Sequence, residues 1–218
     1  MIQVKICGLC RPEDAALAEQ SGAAYAGVIL AEHFRRSQSL ASARQIYAAA
    51  PHLQRVGVFV DAAPTSVLDF ARELSLHAVQ LHGSESVDDI RIISAEVSVW
   101  KAVRVRTSDD VRRALDLYAP FVSALLLDGY DPAQAGGSGT SFAWDAIAPL
   151  RAAWPGSVAL VLAGGLTAEN VARAVALLAP DIVDVSSGVE EVVGKKSAER
   201  VAAFIAAARG ALTAERSS

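Results

Sequence analysis

Eight short apolar runs rich in β-branched residues recur along the chain, at Ile2–Ile6, Ala24–Leu30, Gln54–Val60, Ala78–Leu81, Val97–Val105, Val122–Leu127, Val158–Leu162 and Ile182–Val185. Several are apolar almost throughout, which is the pattern of strands covered on both faces. Between them lie stretches with helical spacing and start signals: Arg11-Pro12-Glu13-Asp14 before Ala15–Ser21, Ala63-Pro64-Thr65 before Val67–Leu74, and Thr167-Ala168-Glu169-Asn170 before Val171–Leu178. Pro12 and Pro64 suit a first helical turn, where no N–H is needed. Parallel strands require a crossover between each pair. Eight strand–helix units within 218 residues therefore predict a single (β/α)8 TIM barrel rather than an open doubly wound sheet.

With 52% hydrophobic residues and no Gly/Ser/Pro-rich linker, the chain reads as one barrel domain over residues 1–210, with a tail over 211–218 expected to fray. A formal net charge of −4 provides no broad positive field, so neither nucleic acid nor an anionic membrane is an expected partner. An anionic ligand must be small and locally bound. The two cysteines, Cys7 and Cys10, cannot staple distant segments, and no apolar run approaches ~20 residues. A cytoplasmic setting is the natural expectation. Oligomeric state is not readable from the sequence.

Chemistry in such a barrel gathers where the strands end. The residues there are Cys7-Gly8 after the first run, His33 to Arg36 beyond the second, Asp61 after the third, His82-Gly83 after the fourth and Arg104 or Arg106 on the fifth. Asp128-Gly129, Gly164-Gly165 and Ser186-Ser187-Gly188 follow the last three. Glycines after strands seven and eight let backbone N–H groups approach an oxyanion, so these two loops are the candidate phosphate site. A third glycine-rich segment, Ala135 to Phe142, is long enough to close over a ligand. It matches neither a dinucleotide fingerprint nor a P-loop.

Cys7 and Asp128 stand on nearly opposite sides of the expected barrel mouth, where one group can deliver a proton to a small sugar and the other remove one. The same residues equally suit a buried small hydrophobe and a turn cap. As a base, Cys7 needs a nearby donor or positive field; as an acid, Asp128 needs partial desolvation. Cys7-Gly8-Leu9-Cys10 is also a C-x-x-C, but His33, His52, His77 and His82 stand singly and complete no zinc site. Neither zinc nor a nicotinamide cofactor is expected. Of the histidines only His82 points to the mouth. An arginine from Arg35-Arg36 suits a carboxylate fork.

These residues together resemble the phosphoribosylanthranilate isomerase family. The resemblance rests on Lys5-Ile6-Cys7-Gly8-Leu9, Val56-Gly57-Val58-Phe59, Val79-Gln80-Leu81-His82-Gly83, Leu127-Asp128, Gly136-Gly137-Ser138-Gly139 with Phe142 and Trp144, Leu162-Ala163-Gly164-Gly165-Leu166, and Val183 to Glu190, in order from about residue 3 to 196. It implies an Amadori rearrangement of N-(5-phosphoribosyl)anthranilate, a step of tryptophan biosynthesis, without metal or organic cofactor. Asp128 is then the general acid and Cys7 the general base. Arg36 falls at the carboxylate position, His82 lines the substrate site, and Gly137, Ser138, Gly139, Gly164, Gly165, Ser187 and Gly188 hold the phosphate. The run His33-Phe34-Arg35-Arg36-Ser37 departs from the family's usual pattern and leaves Arg35 and Arg36 as alternatives. Cys10 and Val193-Gly194-Lys195-Lys196-Ser197 depart as well. The competing readings are another phosphosugar isomerase on the same barrel, and a non-catalytic barrel that binds a sugar phosphate or switches through its two thiols.

Overall fold

The structure, a computed structural model, describes residues 2–129 and 144–214, the side chains of 212–214 excepted. Strand and helix alternate as β1 (Gln3–Ile6), α1 (Pro12–Gln20), β2 (Tyr25–Ile29), α2 (Leu40–Ala48), β3 (Gln54–Phe59), α3 (Pro64–Leu74), β4 (Ala78–Leu81) and α4 (Val87–Ser94). The second half runs β5 (Ser98–Val105), α5 (Ser108–Tyr118), β6 (Ala124–Gly129), α6 (Trp144–Ile147), β7 (Ala159–Leu162), α7 (Val171–Leu178), β8 (Ile182–Val185), a hairpin of β9 (Glu190–Val192) and β10 (Lys195–Lys196), and α8 (Ala198–Ala214). Strands β1 to β8 close into a parallel barrel, with Lys5 of β1 in register with Tyr25 of β2 on one side and Asp184 of β8 on the other. The (β/α)8 expectation holds.

Alternation along each strand divides the apolar residues between two cores. Tyr25, Val56, Ala78, Trp100, Ala124, Leu126, Val161 and Ile182 fill the barrel, where Tyr25 meets Trp100 edge-on at 5.0 Å between ring centroids. Outward-facing neighbours such as Val4, Ile6, Val79, Leu81, Leu125, Leu127 and Val183 pack under the helices. Pro12 and Pro64 open α1 and α3 as expected. α4 and α5 start on reciprocal Ser86/Asp89 and Thr107/Asp110 capping boxes.

One expectation needs correction. Asp128 lies on the end of β6 rather than after it, which fixes its direction by strand register. Helix α8 extends through Ala214. No helix among the described residues is long and apolar enough to cross a membrane.

Candidate active site

At the C-terminal ends of the strands a cavity of about 250 Å³ opens between Cys7, Gln80, His82, Asp128, Asp184 and the two glycine loops, Gly164-Gly165 and Ser187-Gly188. β1, β4 and β6 thus bring the expected thiol, imidazole and carboxyl to one space. Gly137, Ser138 and Gly139 lie outside the described residues.

Cys7 is buried at the floor. A Cβ on Gly27 would lie 3.0 Å from both Cys7 Sγ and Lys5 Nζ, so the thiol and the ammonium share one small space. Burial pushes the Cys7 thiol up from its ordinary value and Asp184 adds to that, against the opposing pull of Lys5 and Lys196. Gly8, directly after Cys7, has φ +66°, and a Cβ there would stand 2.7 Å from Arg36 Cδ and 2.8 Å from Ser186 Oγ. Only glycine lets the Arg36 chain cross the loop that carries the thiol.

Lys5 is fully buried inside the barrel and donates to Asp184 Oδ1 at 2.9 Å and to Gln80 Oε1 at 3.0 Å. Burial alone would drive its ammonium down; Asp184 and Cys7 outweigh that and hold it above the ordinary lysine value. Gln80 Nε2 lies 3.0 Å from His82 Nδ1, and His82 Nε2 lies 3.2 Å from Asp128 Oδ2. The chain of contacts Asp184–Lys5–Gln80–His82–Asp128 crosses the barrel from β8 to β6. Its members beneath the expected site residues escaped the sequence reading. The available signal was a charged or amide residue interrupting a doubly buried strand, as Lys5, Gln80 and Asp184 each do.

Arg36, not Arg35, turns toward the site: Arg35 is exposed, whereas Arg36 lies over Gly8. Arg36 lies outside the cavity's immediate lining, and its Nε and Nη2 donate to the two oxygens of Glu190 at 2.7 and 2.6 Å. That bidentate bond holds the guanidinium above its usual value. Glu190 also accepts from Lys196 Nζ at 3.0 Å. Burial would raise the Glu190 carboxyl, but Arg36 and Lys196 prevail and hold it low. Glu190 and Lys196 also went unread as site residues.

Gly164 has φ +81°, and a Cβ there would collide with the backbone of Gly129 beside Asp128. A Cβ on Gly188 would strike the Leu166 carbonyl oxygen. The β7 and β8 loops therefore approach each other and β6 closely only as glycine. Among the described residues the N–H groups of Gly164 and Gly165 donate to no protein acceptor.

A thiol and a carboxyl converging on one glycine-walled space at the strand ends are the equipment of barrel enzymes that work by acid–base catalysis. Comparison with known proteins makes the assignment specific. The family model described as N-(5′-phosphoribosyl)anthranilate (PRA) isomerase matches residues 4–207, and the chain belongs to that family. Its relatives include the N-(5′-phosphoribosyl)anthranilate isomerase of Neisseria meningitidis serogroup B, 40% identical over 95% of this chain and 96% of the relative. The Thermotoga maritima isomerase is 42% identical over 96% of this chain and all of its own, and its crystal structure superposes with a TM-score of 0.88. A family structure in complex with reduced 1-(o-carboxyphenylamino)-1-deoxyribulose 5-phosphate has a TM-score of 0.84 at 40% identity, covering 96% of this chain and 100% of that one. The chain is an isomerase of the aldose–ketose kind, of tryptophan biosynthesis.

Proposed function

We propose that Asp128 is the general acid and Cys7 the general base of the Amadori rearrangement of N-(5′-phosphoribosyl)anthranilate. The observation that carries this reading is that the two groups, from β6 and β1, line one cavity of about 250 Å³ bounded by the glycine loops. Protonated Asp128 gives its proton to the furanose ring oxygen. The C1–O bond breaks as the anthranilate nitrogen lone pair forms a cationic Schiff base at C1. Cys7 thiolate then removes the proton from C2, and the electron pair closes C1=C2 and neutralises the nitrogen. The resulting enolamine takes a proton at C1 and gives up the proton of its C2 hydroxyl, so that C2–O becomes the ketone carbonyl; C1 is reduced, C2 is oxidised and no co-reactant is needed.

The free thiol is held up by burial, and Lys5 and Lys196 already pull the other way. The Schiff-base cation adds a third positive charge beside it, so the step that acidifies C2 also favours the thiolate. Backbone donors of Gly164, Gly165, Ser187 and Gly188 receive the phosphate, with Gly137, Ser138 and Gly139 assigned there by the resemblance alone. Arg36 spends its Nε/Nη2 side on Glu190, which leaves its Nη1/Nη2 end to grip the anthranilate carboxylate.

Anthranilate fluorescence follows substrate loss. Cys7→Ser and Asp128→Asn should each lower kcat by at least ~100-fold with a smaller change in KM. Near-normal turnover in either variant removes its assigned role, and turnover confined to aminoimidazole-bearing substrate would replace the anthranilate reading.

A further inference from the structure

We infer that Gln80, held by Lys5, is a positioning residue that fixes which nitrogen of His82 carries the proton and thereby which oxygen of Asp128 is free to act as the acid. The argument follows donors and acceptors alone. An ammonium has only hydrogens to give, so the Gln80 atom 3.0 Å from Lys5 Nζ is its oxygen. The amide nitrogen must then be the atom 3.0 Å from His82 Nδ1. An amide nitrogen only donates, so Nδ1 is bare and the neutral ring carries its proton on Nε2. Nε2–H donates across 3.2 Å to Asp128 Oδ2. Oδ2 is thereby occupied as an acceptor, and the acidic proton of Asp128 belongs on Oδ1, which faces the Gly164 wall.

The opposite tautomer would set a bare Nε2 lone pair against Asp128. It would either repel the carboxylate or draw the acid's proton toward itself, away from the substrate. Lys5 and Gln80 are both almost wholly buried, so water cannot easily stand in for either link. The orientation therefore begins at the Lys5–Asp184 ion pair, is passed through an amide that cannot flip without facing N–H to N–H, and ends at the acid. This rests on the reading of Asp128 as the acid.

The test is 15N–1H correlation of the histidine rings, with His82 assigned by its loss in His82→Asn. Around His82 the cavity walls also carry Cys7 and Asp184 on one side and Asp61, Lys101 and Arg104 on the other, so the tautomer is read at one pH rather than from a titration. In the unaltered protein the neutral ring should show Nε2–H and a bare Nδ1. In Gln80→Glu the second carboxylate oxygen replaces the amide donor, so Nδ1 should gain a proton. kcat should then fall at least ~10-fold with KM within about 3-fold, a fraction of what loss of a general acid costs. A proton on Nδ1 in the unaltered neutral ring, a bare Nδ1 in Gln80→Glu, or an unchanged kcat despite the proton's move would each overturn the inference. The ring measurement on the unaltered protein does not depend on any variant folding. Full activity in Asp128→Asn would sink the acid assignment, while the tautomer stands or falls on the spectrum.

Discussion

Glu190→Ala is the most informative single truncation. Glu190 is 6% exposed and accepts from Arg36 Nε and Nη2 at 2.7 and 2.6 Å, from Lys196 Nζ at 3.0 Å and from the Gly194 amide at 3.3 Å. Removing it leaves Lys196, whose side chain is fully buried, with only the Ser186 carbonyl at 3.0 Å among the described residues. Breaking a buried pair from one side costs about 3–5 kcal/mol, because the surviving charge stays desolvated. For a chain of this size that is a fall in Tm of about 6–20 °C. Burial already holds the Lys196 ammonium below its ordinary value, and without Glu190 it is held lower still. A group with a depressed folded pKa binds its proton more tightly when unfolded, so the loss should grow as pH falls from the ordinary lysine value toward neutrality; in acid, below the ordinary glutamate value, it should shrink, because the unaltered protein then loses the contribution of Glu190 itself. Urea unfolding at several pH values, with an unchanged slope, measures this. Adding Lys196→Met should recover part of the loss, since it removes the stranded charge. A cost below about 1 kcal/mol at neutral pH, or no recovery in the double variant, would refute the claim that Glu190 holds these cations in place.

Two further outcomes are expected. Arg36→Lys keeps a charge for Glu190 but loses the planar fork, so KM should rise about tenfold or more, equivalent to ~1.4 kcal/mol, while Arg35→Lys on the exposed side should leave turnover and KM unchanged. Burial raises the folded Cys7 thiol, so its contribution is fully present below the unfolded value of about 8.5 and is lost as pH rises toward the folded one. Relative to Cys7→Ala, the unaltered protein should lose up to about 1.4 kcal/mol of stability per pH unit above about 8.5; parallel stability–pH curves would show that the thiol is not buried as described.

The barrel was legible because its signal is local and repeated. Each doubly buried strand needs its own apolar run, and each crossover helix its own start, so eight weak signals agree on one topology. Strand ends could be named from the same runs, and that alone brought Cys7, His82, Asp128 and two of the three glycine segments to one cavity.

What could not be read is the set of bonds formed only when the barrel closes. Lys5 and Asp184 are 179 positions apart, Lys5 and Gln80 75, Arg36 and Glu190 154, and no local pattern connects them. Their presence was nevertheless announced singly, because a lysine or aspartate in a strand buried on both faces must find a partner or lose its charge. The partner can only be another such residue at the same height inside the barrel, which limits Lys5 to the few polar positions on the other strands. In this chain those positions are next to Cys7 and Asp128. The interior polar layer accordingly has two effects at once: it satisfies charges that the fold has buried, and it ties the strands carrying Cys7 and Asp128 to a common set of hydrogen bonds, so that a change in one ion pair reaches both ends of the proposed proton path.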